Sequence, residues 1–149
     1  MTFEDYLREN HSMTYTTHGV SMKPMLSPKG DLVTLREKGE QRCRLYDVAL
    51  YKRDSGRYVL HRIVEVTPEG YVFLGDNCYE KEYGVREDMV LAVLESYVHN
   101  GKTITVDDPA YQRYVRRKVR LYPLRCVRLR AEILLKKAGR GVRKLIRRS

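Results

Sequence analysis

Tryptophan is absent from this chain of 149 residues, phenylalanine occurs twice and cysteine three times. The 12 tyrosines must therefore supply most of the aromatic packing. Cys43, Cys78 and Cys126 are far apart and form no Cys-x-x-Cys or Cys/His pattern. That spacing argues against a disulfide framework and against a zinc site, and neither a metal nor a cofactor is expected. No apolar run approaches the roughly 18 to 20 residues that cross a bilayer. The stretch from Met1 to Glu9 is charged and lacks the apolar segment of a secretory signal. The expected location is the cytoplasm.

Acidic residues are scarce in one region only. From Ala110 to Ser149 there are fifteen Lys and Arg against a single acid, Glu132. The rest of the chain is net acidic, although the whole carries +10. The charge thus belongs to a basic tail, and a nucleic-acid partner is not expected for the protein as a whole. Hydrophobic residues make up 42%, enough for one domain with a core.

Hydrophobic period divides the chain at the same place. Phe3, Tyr6 and Leu7 share one side of a short amphipathic helix over Thr2 to Asn10. Extended segments are expected at Thr14 to Val20, Leu32 to Leu35, Asp47 to Lys52, Arg57 to Val66, Tyr71 to Leu74, Met89 to Val98 and Thr103 to Thr105. Turns at Thr67-Pro68-Glu69-Gly70 and Asn100-Gly101 join two pairs as hairpins. Val59, His61 and Ile63 alternate onto one face of their strand. After Asp108-Pro109, a plausible helix start, Tyr111, Tyr114, Val115, Val119 and Tyr122 share a helical face. Beyond Pro123 a stripe through Leu124, Val127, Ala131, Leu134, Ala138, Val142 and Leu145 continues. The expectation is a mostly-β domain over residues 1–108 and a basic amphipathic helical tail over 109–149.

Four segments carry chemistry: Gly19 to Leu26, Tyr46 to Leu50, Leu60 to Val64, and Leu74 to Asn77. Each is common alone. In this order they resemble the signal-peptidase I family and its LexA-like relatives. Ser21, Met22, Pro24 and Leu26 match the family's serine box, and Asp47-Val48-Ala49-Leu50 matches its second box with Tyr46 in place of glycine. His61-Arg62 stands where most bacterial members have Lys-Arg, which resembles the archaeal and endoplasmic-reticulum branch. Gly75-Asp76-Asn77 matches the acidic box. The resemblance covers about residues 19–93.

The resemblance implies a coiled antiparallel β fold and a serine endopeptidase acting on a peptide or precursor protein. Ser21 would be the nucleophile and His61 the base, since a serine hydroxyl needs a neighbour to take its proton and imidazole does this near neutrality. Asp76 would orient the His61 ring and stabilise its charged form. Glu82, where His-type members carry a second acid, reads by itself as a solvated loop charge. Gly19, Met22 and Pro24 would shape the serine turn, with the Ser21 backbone N–H facing the oxyanion. Gly19 takes the place of a hydroxyl that many members carry, so backbone amides alone or Thr17 would complete that role. His18 is a rival base and Lys23 a more distant one, while Cys78 reads as a bystander thiol.

The family's membrane anchor before the serine box has no counterpart in the twenty polar residues ahead of Ser21. The basic tail, residues 109–149, could instead bind an anionic membrane surface, making the protein peripheral at the inner membrane face. The competing reading is a non-catalytic or regulatory LexA-like module that binds membrane, nucleic acid or an acidic partner through that tail.

Overall fold

The computed structural model describes residues 2–146, with side chains through residue 138. Helix α1 (Phe3–Asn10) begins at Thr2, whose hydroxyl accepts the Asp5 N–H while the Asp5 carboxylate accepts the Thr2 N–H. This reciprocal cap satisfies donors that the first helical turn leaves unpaired. The strands follow as β1 (Ser12–Thr16), β2 (Leu32–Glu37), β3 (Val48–Lys52), β4 (Tyr58–Thr67), β5 (Gly70–Leu74), β6 (Glu82–Arg86), β7 (Val90–His99) and β8 (Lys102–Thr105). Two helices close the chain, α2 (Pro109–Arg120) and α3 (Tyr122–Ile146).

All pairings are antiparallel, in the order β1-β2-β7-β3-β4-β5-β6, with β8 on β7. The expected mostly-β architecture is therefore present, with a C-terminal helical segment. Both expected hairpins form. Pro68 and Glu69 separate the paired Thr67 and Gly70. Asn100 and Gly101, at φ 50° and 74°, make the turn between β7 and β8. Two successive positive φ values are what a tight hairpin turn needs, and Asn-Gly tolerates them best.

One strand falls where no extended segment was expected. Glu82 to Arg86 forms β6 against β5. Its sequence, EYGVR, shows one buried residue, Val85, so it lacks the apolar alternation of a half-buried strand. Pairing to the fully buried β5 decides its conformation.

Strand β3 lies between β4 and β7 and is buried on both faces. Alternation sends Val48 and Leu50 into one apolar cluster with Val33, Leu35 and Leu94. Ala49 and Tyr51 enter a second with Ile63, Phe73 and Val85. Met22, Met25 and Leu26 join the first cluster and pin the loop after β1 to it. The chain divides into two compact units, residues 1–115 and 116–149, so the boundary falls inside α2. Tyr111 and Val115 are buried with the β domain. In the second unit, Leu124 and Leu135 are 66% and 72% exposed. Val142 and Leu145, which would continue that stripe, lie outside the residues whose side chains are described.

Candidate active site

Residue 21 opens a turn, Ser21 to Met25, held by the Lys23 N–H on the Val20 carbonyl and the Leu26 N–H on the Met22 carbonyl. Burial of Met22, Met25 and Leu26 at 3–5% exposure anchors this turn. Gly19, at φ 116°, precedes it in a conformation that side chains disfavour. Pro24 follows a cis peptide and is exposed; it shapes the turn from outside the cavity.

Ser21 and His61, forty residues apart, line the same cavity of about 430 Å³, together with Gly19, Met22 and Cys78. Gly75 shows how closely these groups converge. A Cβ on residue 75 would stand 2.8 Å from the Ser21 carbonyl oxygen, 3.1 Å from His61 Nε2 and 2.6 Å from Cys78 Sγ. The Ser21 carbonyl is in turn held by the Asn77 N–H at 2.7 Å. The Gly-Asp-Asn segment is thus the piece that holds the serine loop close to the histidine, and only a residue without a side chain fits there. Among the described residues no hydrogen bond joins the Ser21 hydroxyl to the ring. Such bonds are commonly long in unliganded sites.

Asp76 does not orient His61. Its two oxygens take the Arg62 guanidinium, from Nε at 2.8 Å and Nη2 at 2.7 Å, and the Tyr114 hydroxyl donates to it at 2.8 Å. The reason is the pleat. His61 and Arg62 are consecutive on β4 and point to opposite faces, and Asp76 lies on the Arg62 side. Arg62, 1% exposed, also donates to the Tyr46 carbonyl and the Tyr111 hydroxyl, each at 3.1 Å. Its Nη2 stands 3.4 Å from Met25 Sδ in the serine turn. Arg62 and Asp76 therefore join the serine turn, the turn before β3, the acidic loop and α2. Tyr46, in place of the glycine of the second box, has φ 76°, the left-handed region that glycine adopts freely.

Glu82 is not a solvated loop charge. It sits on β6 and accepts two bonds from Arg53, at 2.7 and 2.5 Å, and one from the Tyr51 hydroxyl at 2.6 Å. The Tyr51 oxygen stands 3.5 Å from His61 Nδ1. Sequence reading missed Tyr51 and Arg53. The alternation of β3 does put Tyr51 on the Ala49 face, and Ala49 pairs with His61, but that pairing is a tertiary fact.

Burial of the His61 ring pushes its pKa down to about 4; the carboxylates of Glu82 and Asp76 oppose this and Arg53 adds to it. The ring is consequently neutral at pH 7, the state a base requires. His18 also lines the cavity but is exposed, and Lys23 is exposed and outside it. The Thr17 hydroxyl donates to the Asp31 carbonyl at 3.2 Å. Among the described residues no acceptor takes the Ser21 N–H, and none of the described His, Cys, Asp and Glu residues cluster as metal ligands.

Comparison of the chain with protein-family models, with curated proteins and with solved structures finds no match.

Proposed function

We propose that this chain is a serine endopeptidase of the signal-peptidase/LexA type, with Ser21 as nucleophile and His61 as base, acting on a peptide or precursor protein. The observation that carries the reading is that Ser21 and His61, from separate segments, line one cavity, with Gly75 close to both. In the acylation step His61 Nε2 takes the Ser21 Oγ proton as the oxygen attacks the scissile carbonyl. The unpartnered Ser21 N–H faces the oxyanion as charge develops there. The imidazolium then gives its proton to the leaving amine, and water hydrolyses the acyl-enzyme with His61 again as base.

The cavity walls add a preference for the substrate. Phe3, Tyr58, Leu50 and Leu60 give them apolar surface, no acidic residue lines them, and Arg57 stands at the cavity with no charged partner among the described residues. An apolar segment next to an acidic residue or a free carboxylate fits this lining.

Acylation by a fluorophosphonate probe tests the reading. Wild type and His18→Ala should label, Ser21→Ala should not, and His61→Ala should label at least about 100-fold more slowly. Equal labelling of wild type and Ser21→Ala would end the proposal.

A second reading concerns location. Among the described residues no helix is long and apolar enough to cross a membrane. On α3, Leu124, Val127, Leu134 and Leu135 fall on one face and are all exposed, between Arg128 on one side and Arg130 and Lys137 on the other. This face suits the surface of an anionic membrane, where the leucines enter the acyl boundary and the guanidinium groups meet phosphate.

A further inference from the structure

We propose that Tyr51, held by Glu82, sets the tautomer of His61 and leaves Nε2 unprotonated toward the cavity. The effect on rate rests on the peptidase reading above, whereas the tautomer itself does not.

A phenol has one proton to give. The Tyr51 hydroxyl lies 2.6 Å from Glu82 Oε2, and the carboxylate is held in its charged form by two bonds from Arg53. An ionised carboxylate only accepts, so the phenol proton is committed to Glu82. What Tyr51 then offers to His61 Nδ1, 3.5 Å away, is an oxygen lone pair. Nδ1 is satisfied at that contact only if it carries the hydrogen. The other nitrogen, Nε2, is the ring atom that lies toward Gly75, and among the described residues no hydrogen bond takes it up, so its lone pair is left free.

The chain of donors runs one way: His61 Nδ1–H to Tyr51 oxygen, Tyr51 O–H to Glu82, with Arg53 fixing the far end. When Nε2 takes the Ser21 proton, Nδ1–H stays where it is, and the new positive charge is felt by Glu82 through the polarised phenol. No proton passes to Tyr51 or Glu82. Tyr51 and Glu82 are therefore positioning residues. They supply what Asp76, turned toward Arg62 on the opposite face, does not.

A purely structural account of Tyr51 is also on view, since its ring is fully buried and lies 4.3 Å from that of Phe73. Tyr51→Phe keeps the ring and removes only the oxygen, so it separates the two roles.

The experiment is nitrogen-15 NMR of the full chain with labelled histidine at pH 7, the His61 signals assigned by loss in His61→Gln. Wild type should show hydrogen on Nδ1. Tyr51→Phe should lose that preference and acylate about 10- to 100-fold more slowly at unchanged probe affinity. Glu82→Gln still accepts from the phenol, so it should retain the tautomer while lowering the pH at which His61 protonates. The other charged or titratable groups around the ring are Arg53 just after β3, Asp76 and Cys78 on the acidic loop, and His18, Arg57, Tyr15 and Tyr58 at the cavity. All stay the same in Glu82→Gln, so the shift reports the lost carboxylate. Hydrogen on Nε2 in wild type would overturn the proposal, as would a Tyr51→Phe protein with unchanged tautomer and rate. A wild-type Nδ1–H signal that disappears in Tyr51→Phe, in a protein that no probe acylates, would uphold the tautomer device and remove the peptidase reading.

Discussion

Replacing Gly75 with alanine should disable the site while leaving the protein folded. Residue 75 is outside the positive-φ region, so alanine meets no backbone strain there. By loss of unfolded-state freedom alone the change would stabilise by about 0.4–1 kcal/mol. Contacts reverse that sign. The new methyl carbon would lie 2.6 Å from Cys78 Sγ, a side-chain atom able to rotate away. It would also lie 2.8 Å from the Ser21 carbonyl oxygen, which is backbone and is bonded to the Asn77 N–H. Ordinary contact requires a further shift of about 0.6 Å, and either the serine turn or the acidic loop must provide it. Overpacking of this kind costs about 1–3 kcal/mol, a fraction of the roughly 5–15 kcal/mol that holds a domain folded. The displaced atom, however, belongs to Ser21, the proposed nucleophile, and at a reacting residue a misplacement approaching 1 Å lowers rate on the order of 100-fold. Acylation rate and urea midpoint, measured on the same preparation, read the two effects separately. Adding Cys78→Ala should recover only a minor part of the rate, because the backbone clash remains. Wild-type acylation by Gly75→Ala would refute the claim that nucleophile and base meet at this residue.

Three further outcomes follow from the same geometry. Asp76→Asn leaves the buried Arg62 charge without a counter-ion, so it should lower unfolding free energy by about 3–5 kcal/mol in denaturant titration. If instead it kept the wild-type midpoint and lost acylation alone, Asp76 would be catalytic after all. His61 protonates near pH 4 when folded and near 6.5 when unfolded. The unfolded chain thus binds the proton first as pH falls, and up to about 3 kcal/mol of stability should be lost between pH 6.5 and 4. Acylation should accordingly be flat from pH 6 to 8 and fall only near pH 4, with the fold checked by circular dichroism; an acid limb at 6.5–7 would mean the ring is not buried. The intact chain should co-sediment with vesicles containing phosphatidylglycerol, release with salt, and bind less after Leu124→Glu with Leu135→Glu. Equal binding to neutral vesicles at high salt would contradict the charge-based account.

Much of the local structure was legible in the residues themselves. The shared face of Phe3, Tyr6 and Leu7 announces α1, Asn100-Gly101 and Pro68-Glu69 announce their hairpins, and the alternation of Val59, His61 and Ile63 marks β4, because these signals act over a few residues. Ser21 and His61 were singled out from short local segments, and the fold lines one cavity with both. β6 was not legible, since EYGVR has no periodic pattern and becomes a strand only by pairing with β5. Glu82, noted as a candidate second acid by resemblance, was for that reason read by itself as a loop charge.

The amino-acid order by itself determined that two consecutive β4 residues, His61 and Arg62, must face opposite sides of the sheet. Only the tertiary structure decided which acid each would meet. Asp76 went to the buried Arg62, whose charge has no water to stabilise it and whose planar fork matches a carboxylate. His61 was left to Tyr51 and, through it, to Glu82. Partners of this kind come from strand register and loop path across distances of 10 to 31 residues, and no local pattern encodes them.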